Sequence, residues 1–304
     1  MEIVPFTDEH VEGAAELLAE RHATHRVAEP LLPDRRDFAV QIGKEREDAT
    51  GVVALEDGVI VAYLLGQRRE NHLGRHIWSH VAGHASRDPE LVRDVYAVAA
   101  QRWVEDGLTQ HFVFVPSHER LLIDAWFRLC FGASGVLALR ETEPEEPFEG
   151  GVEIRLGTRD DYPEGVRLEL EMARAMQRAP SFSGIELPTS EEALAEWTDD
   201  AEEDYELFVA EREGRIVGQF VLYRRPPDLR VPDGNIDLAE ASTDPEARGT
   251  GVGRALTAHV IRWAYENGFR TITTDWRMTN LWASRFWPKR GFRPVFLRLY
   301  RSIP

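Results

Sequence analysis

The stretch Arg248-Gly249-Thr250-Gly251-Val252-Gly253 constrains the chain more than any other, because it falls where a strand pattern gives way to a helix pattern. Before it, Asp237 to Thr243 reads as a strand that Asp244-Pro245 ends. After it, Val252, Leu256, Val260 and Trp263 recur at helical spacing until Asn267-Gly268 stops them. Glycine at such a junction tolerates backbone angles that other residues avoid and lets a ligand approach the main chain. A helix start also presents unpaired backbone N–H groups at the positive end of its dipole, a setting suited to phosphate. The stretch lacks the lysine-bearing spacing of a nucleotide-hydrolase loop, and it lacks the Gly-x-Gly-x-x-Gly of a dinucleotide loop.

What remains is Arg/Gln-x-x-Gly-x-Gly/Ala, which resembles the pyrophosphate loop of the GNAT acyltransferases, the users of acyl-coenzyme A. The likeness extends to Asn280-Leu281-Trp282-Ala283-Ser284-Arg285-Phe286-Trp287, followed after three residues by Gly291-Phe292. This is similar to the family's second signature, Asn-x-x-Ala-x-x-Phe/Leu-Tyr, three residues, then Gly-Phe. An apolar, strand-like run from Thr271 to Trp276 separates the two. A generic αβ turn would account for the glycines but not for the second signature.

The chain has 304 residues, enough for two ordinary domains, with 43% hydrophobic and 29% charged residues. Its net charge of −17 argues against binding nucleic acid or an anionic membrane, and it leaves a cationic acceptor and a merely solvated surface both open. The decapeptide Glu141–Gly150 holds five glutamates and two prolines and reads as a linker. We therefore expect domains at 1–141 and 152–304, joined by an acidic linker at 142–151. The second half reads β-α-α-β-β-β-α-β-α-β, which is the GNAT order. Its elements include a strand at Val152–Leu156, helices at Tyr162–Met176 and Ser190–Trp197, and strands at Leu207–Ala210 and Ile216–Leu222 about Glu213-Gly214. An acidic stretch, Asp199 to Glu206, lies between, and residues from Phe182 to Tyr205 are expected to shape the acceptor pocket.

The first half repeats this order. A strand at Glu2–Phe6, a helix at Asp8–His22 after a Thr7 cap, and a hairpin of Gly51–Leu55 with Val59–Gln67 come first. A strand over His76–Ala85, a helix over Pro89–Glu105, a strand over His111–Val115 and a helix over Arg120–Leu129 follow. Phe131-Gly132 is a weak counterpart of Gly291-Phe292. Where the glycine pair should stand, the loop reads Ser86-Arg87-Asp88-Pro89-Glu90-Leu91, and its acids repel pyrophosphate. The fold class expected is thus α/β with a mixed sheet, as two GNAT-like acyl-CoA N-acyltransferase domains in tandem, the first degenerate.

Two other features are weighed. His72, His76, His80 and His84 recur every four residues, but Gly74, Ile77-Trp78, Val81 and Gly83 favour a strand. On a strand, neighbours in that series stand about 13 Å apart, too far for one ion, so no metal is expected. Cys130 is the only cysteine, which excludes an intrachain disulfide and suggests a reducing compartment; its apolar surroundings suggest a core residue. With no signal-peptide pattern and no long apolar span, the expected location is cytoplasmic.

The resemblance implies acyl transfer from acetyl-CoA to an amine, which must lose a proton before attacking while a donor holds the oxyanion. It assigns the pantetheine arm to Ala241, Ser242 and Thr243. The pyrophosphate falls to Gly249, Thr250, Gly251, Val252, Gly253 and Arg254, with charge from Arg248 and Arg254. Asn280 contacts the coenzyme or fixes the loop. Glu240 and Asp237 are candidate bases; three residues apart on a strand, they are expected on opposite faces, with Glu240 preferred. Trp287 stands where the family commonly has the tyrosine that protonates the leaving thiolate, and indole is no useful acid at neutral pH. Ser284, one helical turn away, is the nearest alternative. The expected protein is a monomeric or homodimeric N-acetyltransferase with one active, C-terminal site and a small-molecule or peptide amine acceptor. The alternative is a non-catalytic acyl-CoA-binding sensor; a mycothiol-synthase-like enzyme shares the layout, but no motif singles it out.

Overall fold

The computed structural model describes residues 1–71, 73–199 and 205–304, and within them two compact units. Unit 1 comprises Met1–Leu137, Pro227–Pro232 and Pro294–Pro304; unit 2 comprises Ala138–Pro226 and Asp233–Arg293. This division differs from boundaries at 141 and 152: the segment 142–151 falls within unit 2, and the last residues of the chain fall within unit 1.

Unit 1 contains β1 (Glu2–Pro5), α1 (Val11–Ala28), α2 (Phe38–Arg46), β2 (Ala49–Glu56), β3 (Val59–Asn71), β4 (Gly74–Ser79) and β5 (His84–Ser86). They are followed by α3 (Leu91–Glu105), β6 (Gln110–Pro116), α4 (Arg120–Phe127) and the start of β7 (Gly132–Glu141). β1 to β4 pair antiparallel in order, and β4 runs parallel to β6. Trp103, Trp126, Tyr96 and Ile77 are buried in one apolar cluster between this sheet and α3 and α4. The final strand of the chain lies antiparallel to β6, from Phe296 opposite Pro116 to Ser302 opposite Gln110.

Three sequence expectations are corrected here. The run 76–85 is not one strand. Glu45 of α2, a helix not anticipated, accepts the His80 backbone N–H at 3.0 Å, and a 3-10 turn at Val81–Gly83 divides β4 from β5. Gly83 fits because a side chain there would meet Glu45 Oε1 at 2.9 Å and the Leu65 carbonyl at 3.0 Å. Cys130 is exposed, in a left-handed conformation (φ 62°) where the chain leaves α4, and not in the core. The histidine series does not lie on one strand: His76 is in β4, His80 precedes the 3-10 turn and His84 is in β5. His76 bonds the Gly74 carbonyl, His80 lies between Trp78 and Arg69, and His84 bonds the Phe114 carbonyl at 2.6 Å. Burial holds His80 and His84 down to about 3, so both are neutral. His72 lies outside the described residues.

Unit 2 contains β8 (Glu153–Leu156), α5 (Tyr162–Met176), α6 (Ser190–Asp199), β9 (Tyr205–Arg212) and β10 (Arg215–Tyr223). It continues with β11 (Asn235–Thr243), α7 (Val252–Glu266), β12 (Thr271–Arg277) and α8 (Leu281–Phe286), before β13 (Arg293–Ser302) ends the chain in unit 1. β8 to β11 pair antiparallel, with positive φ at Glu213 and Gly214 in the β9–β10 turn. β11 is parallel to β12. Most of the expected stretch 199–206 lies outside the described residues. Among the described residues, no helix is long and apolar enough to cross a membrane.

The repeat seen in the sequence recurs in the bonding. Thr7 with His10 and Thr158 with Asp161 each close a capping box before α1 and α5. Phe131 and Phe292 each lie five residues after a tryptophan and stack edge-on to it, at 4.9 Å from Trp126 and 5.1 Å from Trp287. In both copies the phenylalanine N–H donates to that tryptophan's carbonyl at 3.3 Å.

Candidate active site

The site grows out of the way β11 ends. β12 pairs with β11 only from Asn235 to Leu238, whereas β10 keeps pairing with it as far as Thr243. The stretch from Ala239 to Thr243 therefore has one hydrogen-bonding edge that β12 does not fill, open to a ligand's amide groups. Asp244 then caps a short 3-10 turn, accepting from the Glu246 N–H at 3.0 Å, and its carboxylate pairs with Arg167 at 3.0 Å. That acid is neutralised by Arg167 and does not oppose an anion at the loop.

Gly249 (φ 77°) and Gly251 (φ 100°) turn the chain through left-handed geometry into α7. The first helical bond of α7 runs from Ala255 N to Gly251 O at 2.9 Å. The N–H groups of Val252, Gly253 and Arg254 precede it and have no acceptor within the helix. They face a cavity of about 580 Å³. Its walls come from the loop, from Ala241 to Thr243, from Met172 and Met176 of α5, from Phe148, and from Trp282, Phe286 and Trp287 around α8. Arg248, Arg254, Arg285, Lys289 and Arg290 also line it, and among the described residues no carboxylate does. In a chain with 53 acidic and 36 basic residues, that segregation marks an anion site.

Of the residues expected at the coenzyme, Ala241, Ser242, Thr243, Arg248, Gly249, Gly251, Val252, Gly253, Arg254, Asn280 and Trp287 all line this one cavity. Thr250 does not; its hydroxyl donates to the Ala247 carbonyl at 2.7 Å. Asn280 caps α8, its side chain accepting from the Ala283 N–H at 3.1 Å. Trp287 is buried among Phe220, Phe286 and Phe292. Ser284 is not on the wall, because its hydroxyl is spent on the Met278 carbonyl at 3.1 Å.

The two candidate bases are not on opposite faces. Glu240 stands opposite Val221 and Asp237 opposite Tyr223, two residues apart on β10, with a register shift between that leaves Ala239 over. One extra residue restores the pair to a common face. Asp237 is buried and committed, accepting from Thr273 Oγ1 at 2.6 Å and pairing with Arg225 at 2.8 Å. Glu240 is half-buried behind the cavity wall. It accepts from Gln219 Nε2 at 2.8 Å and from the hydroxyl of Ser242, a wall residue, at 3.3 Å. Burial, and then the nearby Glu169 carboxylate, push Glu240 up to about 8. Glu169 accepts from Trp197 Nε1 at 2.7 Å, and burial raises its pKa as well.

Sequence reasoning missed Met172, Met176, Glu169, Phe148, Arg285, Lys289 and Arg290. Met172 follows Glu169 by three residues and Met176 follows it by seven, so helical spacing puts them on one face; nothing local said which face met β11. In unit 1 the corresponding positions, fourteen and eighteen residues after Thr7 as Met172 and Met176 are after Thr158, are Arg21 and His25. Both are buried. Arg21 donates to the carbonyls of His84 and Val81, and His25 stacks on His118. Among the described residues, no group of three or more His, Cys, Asp or Glu is placed to hold a metal ion.

Residues 171–292 match the acetyltransferase (GNAT) family model. The GCN5-related N-acetyltransferase from Sphaerobacter thermophilus is similar in fold, with a TM-score of 0.62 and 16% identity over 99% of this chain and 95% of that one. A tandem GNAT protein from the clavulanic acid biosynthesis pathway aligns over 99% of this chain and 98% of its own, at 12% identity and a TM-score of 0.51. These likenesses are of fold, and they span both copies. No curated protein sequence matches the chain.

Proposed function

We propose that unit 2, in which residues 171–292 match the acetyltransferase (GNAT) family model, transfers an acetyl group from acetyl-CoA to an amine, directly and within the cavity at the end of β11. The observation that carries this reading is the meeting of five cations, with no carboxylate among the described lining residues, around a left-handed glycine turn at a helix start. The N–H groups of Val252 to Arg254 and the Arg248 and Arg254 guanidiniums receive the pyrophosphate. The open edge of Ala241 to Thr243 takes the pantetheine amides, and Met172 and Met176 pack along that arm. Trp287 closes the apolar floor.

On the far side of Ser242, Glu240 and Glu169 form the acceptor side. Glu240 takes the proton from the acceptor's ammonium, directly or through Ser242 or water, before attack. A backbone N–H of the open β11 edge holds the oxyanion. We read the two copies as 1–141 and 152–304. Unit 1 lacks the glycine pair and holds charged or polar Arg21 and His25 where unit 2 has methionines, which supports a single donor site.

One observation favours a second reading, an acyl-CoA sensor without turnover: Trp287 is walled by three phenylalanines and supplies no acid for a leaving thiolate. Calorimetry with acetyl-CoA tests the first point, with stoichiometry near one expected for wild type and no binding by the Gly251→Asp/Gly253→Asp variant. Free thiol released over a panel of amines tests the second. Binding without any thiol release supports the sensor, and absence of binding ends both readings.

A further inference from the structure

The segment 142–151 reads as a solvated connector in the sequence, yet it is hydrogen-bonded at both ends within unit 2. Thr142 N donates to the Arg270 carbonyl at 3.1 Å and its hydroxyl to the Phe269 carbonyl at 2.5 Å. Arg140, just before it, donates to the Arg290 carbonyl at 2.6 Å and to Glu143 at 2.5 Å. At the other end, Arg212 donates to the carbonyls of Gly150 (2.9 Å) and Gly151 (3.1 Å) and to Thr250 Oγ1 (3.2 Å). One guanidinium thus ties the end of the segment to the glycine loop itself.

Between these anchors the segment touches the site. Phe148 lines the cavity, and its ring edge is 3.1 Å from where a Cβ on Gly251 would lie. Gly150 sits so close to α7 that a Cβ would stand 2.8 Å from the Ala255 side chain and 3.1 Å from the Gly251 carbonyl. The Arg254 guanidinium carbon is 3.8 Å from the centre of the Phe148 ring. Among the described residues Arg254 has no carboxylate partner. Stacking on an aromatic face holds a guanidinium in place while leaving its N–H edge unspent, and an ion pair would do the opposite.

We propose that this connecting segment is a working part of the donor site, with Phe148 a positioning residue that holds Arg254 toward the phosphate end of the coenzyme. The inference rests on the donor reading above. It makes the segment between the two copies a determinant of nucleotide recognition in the second.

Calorimetric titration of the full chain with coenzyme A, for wild type, Phe148→Ala, Arg254→Ala and the double variant, tests it. Each single change is expected to weaken binding about tenfold, and the double variant to bind no more weakly than Arg254→Ala. Phe148→Tyr, which keeps the aromatic face, is expected to bind as wild type does. Melting temperature is followed alongside, so that a variant that unfolds is recognised; Phe148→Tyr and Arg254→Ala then still decide. Losses that multiply in the double variant, or unchanged binding by Phe148→Ala, overturn the role of Phe148 and leave the donor site standing. Failure of the wild type to bind coenzyme A instead overturns the donor reading.

Discussion

Gln219 Nε2 donates both to Glu240 Oε1, at 2.8 Å, and to the Gly165 carbonyl, at 3.0 Å. The Gly165 carbonyl can only accept, so turning the amide over would lose that bond, and this fixes Nε2 toward Glu240. The fully buried Gln219 ties α5 to β11 and fixes where the Glu240 carboxyl points. That carboxyl faces Glu169 and titrates near 8, not near its ordinary 4.5.

A base that titrates near 8 is protonated over most of the neutral range and becomes competent as pH rises. With any amine that is turned over, kcat/KM should climb through about pH 8. Glu240→Gln should remove that limb and lower the rate by roughly a hundredfold or more. Rate profiles for both proteins from about pH 6 to about pH 9.5 check this. An intact limb in the variant would mean that another group is the base.

The same shift has a consequence for stability. The folded pKa of Glu240 lies above the ordinary 4.5, so the folded chain holds a proton that the unfolded chain gives up between 4.5 and about 8. This group's favourable contribution is full below 4.5 and is lost as pH rises through about 8. Urea unfolding should show Glu240→Gln gaining on wild type as pH rises across that window, and a gap that widens the other way would contradict the shift.

The loop glycines should not be equivalent. Gly251 has φ 100° with the Phe148 ring beside it, so Gly251→Ala should cost about 1–2 kcal/mol. A Cβ on Gly253 meets only ordinary contact, Phe286 at 3.4 Å, and Gly253→Ala should change stability by less than about 0.5 kcal/mol. Denaturant midpoints of the two variants decide.

The Arg248 guanidinium lies 4.6 Å over the Trp282 ring and donates to the Thr243 carbonyl at 3.3 Å, at the cavity wall. Arg248→Ala should weaken acetyl-CoA binding about tenfold. Added salt should weaken wild type more than the variant, because one of the screened cations is already gone. Equal salt slopes would place Arg248 outside the anion site.

Trp287→Tyr supplies the hydroxyl that the family position commonly carries. The smaller ring leaves space among three phenylalanines and should cost roughly 1–3 kcal/mol, read as a lower Tm. Acetyl-CoA affinity should stay within about threefold, while thiol release rises if departure of the thiolate limits turnover. A loss of binding would show that indole packing, not acid chemistry, is what position 287 contributes.

The order of elements in the second half and the glycine turn into α7 were legible in the sequence by itself. Both depend on residues close together in the chain, where periodicity and backbone freedom act locally. The sequence also showed that the first copy lacks the glycine pair. That Asn280 caps α8 and that Phe292 stacks on Trp287 were not legible in it. The tertiary structure decided the rest. A bulge at Ala239, defined only by the register against β10, puts Asp237 and Glu240 on one face and overrides the parity of an ideal strand. Arg225 and Thr273 then bind Asp237, leaving Glu240 as the carboxylate nearer the cavity. Phe148 and Met172 became wall residues, and Cys130 a surface one, through the packing of elements far apart in sequence. Local pattern fixes which residues share a face of one element. Which faces meet, and with what register, is set by long-range pairing and burial, and the site is made of those meetings.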